Sequence, residues 1–213
     1  MKCDKEMMRL YAVTDRAWVG RQSLYEQVES ALKGGVTCVQ LREKELSDEE
    51  FLEEALAISA LCRQHGVPFF INDNVDIAIA CHADGIHVGQ EDLNAAQVRQ
   101  RVGDDMMIGV SVHSVEETLM AVKQGADCLG VGAMFSTSTK TDVDVLPMET
   151  LRDICAAVDI PVVAIGGINK GNIAQLAGTG VDGVALVSAI FAAGDIENEC
   201  RQLRKLSEEM ICL

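Results

Sequence analysis

The stretch TCVQLREKEL, residues 37–46, places three side chains suited to anions at alternate positions: Gln40, Arg42 and Lys44. Alternate residues of a β-strand share a face, so with Val39 and Leu41 turned one way these three line the other. An amide, a guanidinium and an ammonium on one edge suit a bound anion. The competing reading pairs Arg42 and Lys44 with Glu43 or Glu45 on a solvated rim, where ion pairs contribute little. Asn72 and Asp73 close the apolar run PFFIND, where a carboxylate needs a partner or a cation, and Asp92 follows GIHVGQ. Two carboxylates with few basic neighbours suit Mg2+, which takes one or two protein carboxylates, keeps waters and bridges to phosphate oxygens. Either aspartate could instead cap the helix that follows.

More donors stand at later positions. TSTK sets the hydroxyls of Thr137 and Thr139 beside Lys140, a combination that can wrap a phosphate or a carboxylate. Ser111 ends the run MIGVSV and adds a hydroxyl. Gly166 and Gly167 in AIGGIN, with a short helix opening near Ser188, supply backbone amides of the kind that hold phosphate, although a glycine pair also makes an ordinary tight turn. The chemistry implied is two anion sites, which suits two phosphorylated substrates or one bisphosphorylated one.

These residues must be positioned by a repeating framework. Eight β-rich runs, at about 9–15, 37–43, 68–73, 85–90, 107–112, 127–135, 161–167 and 183–191, alternate with helical patterns. Ser47 with Glu50 forms a capping box, after which Phe51, Leu52, Ala55, Leu56, Ile58 and Leu61 recur near helical period; Ser114 with Glu117 repeats the device. Related punctuation precedes four of the runs, in KGGVTCVQ, HADGIHVG, QGADCLGVG and GTGVDGVALV, as though one unit were duplicated. Eight strand–helix units in 213 residues favour an α/β fold closed as a single-domain (β/α)8 TIM barrel spanning residues 1–213, over an open doubly wound sheet. In such barrels active sites gather at the carboxyl ends of the strands, so the candidate anion and metal residues at those ends belong together. The longer segment STSTKTDVDVLPM after the sixth run reads as a functional loop.

Composition excludes other classes. With 33 acidic against 18 basic residues the net charge is -15, which argues against nucleic acid or an anionic membrane surface as partner. No apolar run approaches the about 20 residues of a membrane span. Eight cysteines stand singly, with no CxxC spacing and no signal-peptide pattern, as expected of reduced thiols in a cytoplasmic protein. The sequence is compatible with a homo-oligomer and with small-molecule substrates as its other partners.

In order along residues 9–193, VQLREK, FFINDN, DGIHVGQEDL, IGVSVHS, TSTK, AIGGI and VSAI resemble the thiamine phosphate synthase family. The resemblance implies a transferase that joins a pyrimidine methyl diphosphate to a thiazole phosphate with Mg2+ as cofactor, giving thiamine monophosphate and diphosphate. It implies that Gln40, Arg42, Lys44, Asn72, Ser111 and Lys140 hold the pyrimidine diphosphate, with Arg42, Lys44 and Lys140 as catalytic groups on the leaving group. Asp73 and Asp92 would bind the metal, and Thr137, Thr139, Gly167, Val187 and Ser188 the thiazole phosphate. Ala133 and Ser136 stand where the family usually has prolines, which implies a looser loop. His87 reads as a hydrogen-bonded barrel residue. His113 points to the nearest rival, a thiazole tautomerase-like paralogue; a non-catalytic thiamine phosphate-binding barrel and a phosphosugar isomerase are the others.

Overall fold

The apolar runs form eight parallel strands: β1 (Leu10–Val13), β2 (Cys38–Leu41), β3 (Phe69–Asn72), β4 (Gly85–Val88), β5 (Met107–Val112), β6 (Cys128–Val131), β7 (Val162–Ile165) and β8 (Gly183–Leu186). They pair in sequence order and close, β8 against β1, into the expected barrel. The computed structural model describes residues 3–20, 22–90, 92–136 and 144–213. Helices follow as α1 (Leu24–Lys33), α2 (Asp48–His65), α3 (Val75–Ala80), α4 (Ala95–Val102), α5 (Val115–Lys123), α6 (Met148–Ala157), α7 (Ser188–Phe191) and α8 (Ile196–Ile211), with only a short 3-10 turn, Ile173–Leu176, after β7.

Most strands are shorter than their apolar runs. β2 stops at Leu41, so strand period does not extend to Lys44. β6 stops at Val131 rather than 135, because Met134 and Phe135 donate instead to the carbonyls of Ile165 and Gly166, crossing to the next loop. β8 stops at Leu186, since residues 188–191 coil into α7.

Caps begin the helices where the sequence indicates. Ser47 and Glu50 form the expected reciprocal box on α2, and Ser23 with Glu26 forms another on α1. The device at α5 is a correction: Ser114 accepts the Glu117 N–H at 3.1 Å, but the Glu117 carboxylate reaches back to the His113 N–H at 2.7 Å. On α2 Phe51, Ala55, Ile58, Leu61 and Cys62 are buried, with Gly66 ending the helix in the left-handed conformation; Leu56 lies outside that face and is exposed.

Strand alternation divides the core in two. Val39, Leu41, Phe69, Ile71, Ile86 and Ile108 face the helices, whereas Tyr11, Val13, Cys38, Phe70, Met107 and Cys128 fill the barrel interior. Tyr11 and Phe70 meet with ring centroids 5.7 Å apart. Glycines on neighbouring strands make the room: a Cβ on Gly85 would lie 2.3 Å from the Phe70 ring, and one on Gly109 2.4 Å from His87 Nδ1.

The repeated punctuation has a physical cause. Thr37, Asp84, Asp127 and Asp182 each stand one residue before an even-numbered strand, and their side chains accept the N–H of Leu10, Phe69, Ile108 and Val162 at 2.8, 2.9, 2.8 and 2.9 Å. Each also donates its own N–H to the carbonyl of the same residue, at 2.7–2.9 Å. Four two-bond clamps therefore satisfy the opening of every odd strand where the sheet ladder has not begun. Asp84→Ala should leave the Phe69 N–H without an acceptor and cost about 1–3 kcal/mol, while Asp84→Asn keeps most of it. A urea midpoint for Asp84→Ala equal to wild type would remove the clamp.

Candidate active site

The carboxyl end of β2 does not present its polar residues as one row. Gln40 points into the barrel, nearly fully buried, and donates from Nε2 to the Tyr11 hydroxyl at 2.9 Å. Arg42 lies past the strand end: Thr14 Oγ1 accepts its N–H at 3.0 Å, and its guanidinium stands 3.4 Å from Asp15. Lys44 turns toward β3, its ammonium 2.5 Å from Asp73 Oδ2. Neither cation pairs with Glu43 or Glu45. Glu43 is instead bound by Arg16, Nε to Oε2 at 2.6 Å, and Arg16 also reaches Glu54 on α2 at 2.7 Å.

At the end of β3 the chain makes a sharp turn in which the Asn74 N–H bonds the Asn72 carbonyl at 2.8 Å, and Asp73 takes a left-handed φ of 62°. Asparagine and aspartate tolerate that region better than other side-chain-bearing residues, and such a position at a strand end is where functional side chains are held. Asn72 Nδ2 donates to Asp73 Oδ1 at 2.9 Å and to the His87 carbonyl at 3.3 Å, fixing the carboxylate from a second side. Asp92 folds back to accept the Gly89 N–H at 2.8 Å. Neither aspartate caps a helix; Asn74 caps α3 and Asn94 caps α4.

Burial raises the Asp73 carboxyl above the usual range, Lys44 pulls it back, and the Asp92 carboxylate beside it pushes it up again. Two adjacent carboxylates that repel each other form an oxygen-only donor set, which fits a hard cation that keeps its remaining positions for water or phosphate. Among the described residues no group of three or more His, Cys, Asp or Glu side chains is placed to hold a metal, so the set has two members. A cleft of about 480 Å³ opens beside it, lined by Glu43, Lys44, Asn72, Asp73 and Arg101 among others.

Deeper in the barrel, Ser111 Oγ lies 2.9 Å from His87 Nε2. His87 is the hydrogen-bonded interior residue expected, and its Nδ1 has no hydrogen-bond partner among the described residues. Burial pushes its pKa down to about 4, so the ring is neutral at physiological pH. His113 ties its N–H and its Nδ1 to Glu117, at 2.7 and 3.2 Å. Gln90, which sequence reasoning passed over, donates to the Ser111 carbonyl at 2.6 Å.

On the opposite side of the mouth, Gly166 and Gly167 have φ of 95° and 67°. A Cβ on Gly167 would lie 2.4 Å from the Ser136 carbonyl, so the pair provides both the turn and a close backbone approach. Val187 packs on the interior cluster, and Ser188 opens α7 with no side-chain cap. Ala133 is buried and accepts the Leu146 N–H at 2.8 Å, closing the base of the long loop. Thr137, Thr139 and Lys140, and most of the segment expected to be looser, lie outside the described residues.

Comparison with known proteins agrees with this geometry. A model of the family described as thiamine monophosphate synthase matches residues 10–190. The chain is 49% identical over 197 residues to a thiamine-phosphate synthase of Ruminiclostridium cellulolyticum, spanning 92% of this chain and 94% of that one. It is 47% identical over 193 residues to a thiamine-phosphate synthase of Clostridium acetobutylicum, spanning 91% and 92%. Its structure superimposes on that of thiamine phosphate pyrophosphorylase from Pyrococcus furiosus with a TM-score of 0.89 at 40% identity, covering 97% of this chain and 98% of that one.

The neutral interior imidazole has a consequence for stability. The unfolded chain binds a proton on His87 near the ordinary 6.5 and the folded chain only near 4, so stability is full above pH 6.5 and is lost as pH falls from there toward 4. The loss should approach about 3 kcal/mol. Denaturant midpoints of wild type and His87→Asn across that window should diverge in slope, the variant being flatter; parallel slopes would place the acid sensitivity elsewhere.

Proposed function

The chain belongs to the thiamine monophosphate synthase family, and from that premise we infer how its barrel mouth carries out the reaction. It is a transferase that condenses 4-amino-2-methyl-5-(diphosphooxymethyl)pyrimidine with a thiazole phosphate, yielding thiamine monophosphate and diphosphate. The bond between the pyrimidine methylene carbon and the diphosphate oxygen breaks with its electron pair leaving on diphosphate. The electron-rich aminopyrimidine stabilises the resulting cation, and the thiazole nitrogen gives its lone pair to that carbon. No side-chain nucleophile is needed; the protein must neutralise the departing charge and hold the two rings together.

The observation that carries the residue assignment is the convergence of three strand ends, with Lys44 Nζ 2.5 Å from Asp73 and the Asp92 carboxylate beside it. Arg42 and Lys44 then bind the diphosphate from the β2 end, with Lys140 of the long loop as a third cation. Gln40, Asn72 and Ser111 orient the pyrimidine part of that substrate; their fixed hydrogen bonds to Tyr11, Asp73 and His87 support this. Gly167, Val187 and Ser188, the last two through backbone, receive the thiazole phosphate together with Thr137 and Thr139.

Asp73 and Asp92 would hold Mg2+, which when bound supplies positive charge to the leaving diphosphate. The eight free cysteines support a cytoplasmic setting. Among the described residues no helix is long and apolar enough to cross a membrane. Against a tautomerase role, His113 is tied to Glu117, and the chain keeps the cations and carboxylates that only a diphosphate substrate requires.

Purified protein given both substrates should form thiamine monophosphate and diphosphate with Mg2+ and lose at least about tenfold in rate without it; an equal rate without metal would remove the metal assignment. Asp73→Asn should abolish turnover at an unchanged melting temperature, and an active variant would exclude Asp73 as a ligand. Lys140→Ala should slow single-turnover cleavage more than it weakens thiazole phosphate binding, and equal losses would count against a leaving-group role.

A further inference from the structure

Glu43 stands between two cations in sequence and pairs with neither. Its side chain is 1% exposed. One carboxylate oxygen, Oε1, accepts three successive amides: Lys44 at 2.7 Å, Glu45 at 2.8 Å and Leu46 at 3.4 Å. The other accepts Arg16, whose Nε and Nη2 lie 2.6 and 2.5 Å away. Burial alone would raise the Glu43 carboxyl, but Arg16 and the amides outweigh it and hold it below the usual range, so the group is ionised at neutral pH. Three consecutive amides wrapped on one anion fix the direction of the chain through that turn.

We propose that Glu43 is a positioning residue for the diphosphate half of the reaction: its carboxylate, anchored by Arg16, fixes the turn after β2 so that Arg42 and Lys44 present their charges at the barrel mouth. This inference rests on the assignment of Arg42 and Lys44 to diphosphate. β2 ends at Leu41, so the strand itself cannot orient Lys44; the turn built on Glu43 does so, and the ammonium arrives 2.5 Å from Asp73. Arg42 is held from the other side by Thr14, whose hydroxyl accepts its N–H. Arg16 has a second role. With Glu43 and Glu54 on its guanidinium it is already satisfied, and does not compete for the substrate's anion close to the mouth.

Glu43→Gln keeps the shape and one acceptor oxygen but loses the charge that engages Arg16. It should raise the KM for the pyrimidine diphosphate, and the dissociation constant of inorganic diphosphate measured by calorimetry with Mg2+, each by about tenfold or more. The KM for thiazole phosphate should change by less than about twofold, measured where the variant is fully folded, since loss of the buried charge pair lowers its melting temperature. In combination with Lys44→Ala the losses should be less than additive, because Glu43 acts through that side chain. Additive losses, an equal rise in both KM values, or unaltered diphosphate binding would each overturn the proposal. Should Glu43→Gln fail to fold, Arg16→Lys, which keeps the charge but not the two-pronged geometry, should show the same split between substrates more weakly, and no split would overturn it. If Arg42→Ala and Lys44→Ala themselves leave diphosphate binding unchanged, the site assignment falls and the inference with it. If both weaken binding while Glu43→Gln does not, the inference alone falls.

Discussion

A closed eight-stranded barrel has an interior of nearly fixed volume, and in this protein its filling decides where everything else stands. Phe70 and His87 lie so close to the neighbouring strands that glycines at 85 and 109 give up their volume to the two rings. Close packing of that kind holds the strands in register and resists side-chain movement. Gln40 and Ser111 consequently rise from fixed interior partners, Tyr11 and His87, and their orientation at the base of the mouth is set by the packing beneath them. The same burial keeps His87 neutral, so it offers Ser111 a hydrogen bond without adding charge to the site.

Above this layer the limiting quantity is positive charge. A chain with 33 acidic and 18 basic residues must bind a highly charged anion while surrounding it with carboxylates. The structure separates its cations by how they are paired. Arg16 is shared between two carboxylates, one of them almost wholly buried, and breaking such a pair would strand a buried charge. Among the described residues, Arg42 and Lys44 each have one partly exposed partner, Asp15 and Asp73, and such contacts are weak enough to be exchanged for a substrate oxygen. The difference in desolvation, rather than the kind of residue, distinguishes a structural cation from one that can serve a ligand. On the proposed assignment, the same exchange frees the Asp73 oxygen for the cation it would share with Asp92.

Much of this was legible in the sequence because it depends on residues close together in the chain. The eight apolar runs, the capping box at Ser47 and the cap at Ser114 obey local periodicity and local hydrogen bonding, and the related punctuation before four of the strands is visible as a repeat, whereas the clamp made by its Thr or Asp is not. Other features were not legible for equally physical reasons. The ends of β2, β6 and β8 were overestimated because an apolar or alternating run does not reveal where the backbone's hydrogen bonds pass to a side chain, to a neighbouring loop or into a new helix. Glu117 bonds His113 rather than the cap residue itself, a choice of one residue that the pattern cannot make. Leu56 fits a helical period loosely enough to be counted on the buried face, yet is exposed.

By itself the sequence determined the number and order of strands, the helix starts and which chemistry-bearing residues lie at strand ends, since all of these follow from the period of the backbone and the reach of a side chain to its near neighbours. Only the tertiary structure decided who pairs with whom. Lys44 and Asp73, Arg42 and Asp15, and Arg16 with Glu43 and Glu54 are separated by 29, 27, 27 and 38 positions, and many acidic residues were equally available to each cation. Closing the barrel brings the ends of consecutive strands side by side, and Coulomb attraction at short range in a partly desolvated mouth then selects the partners.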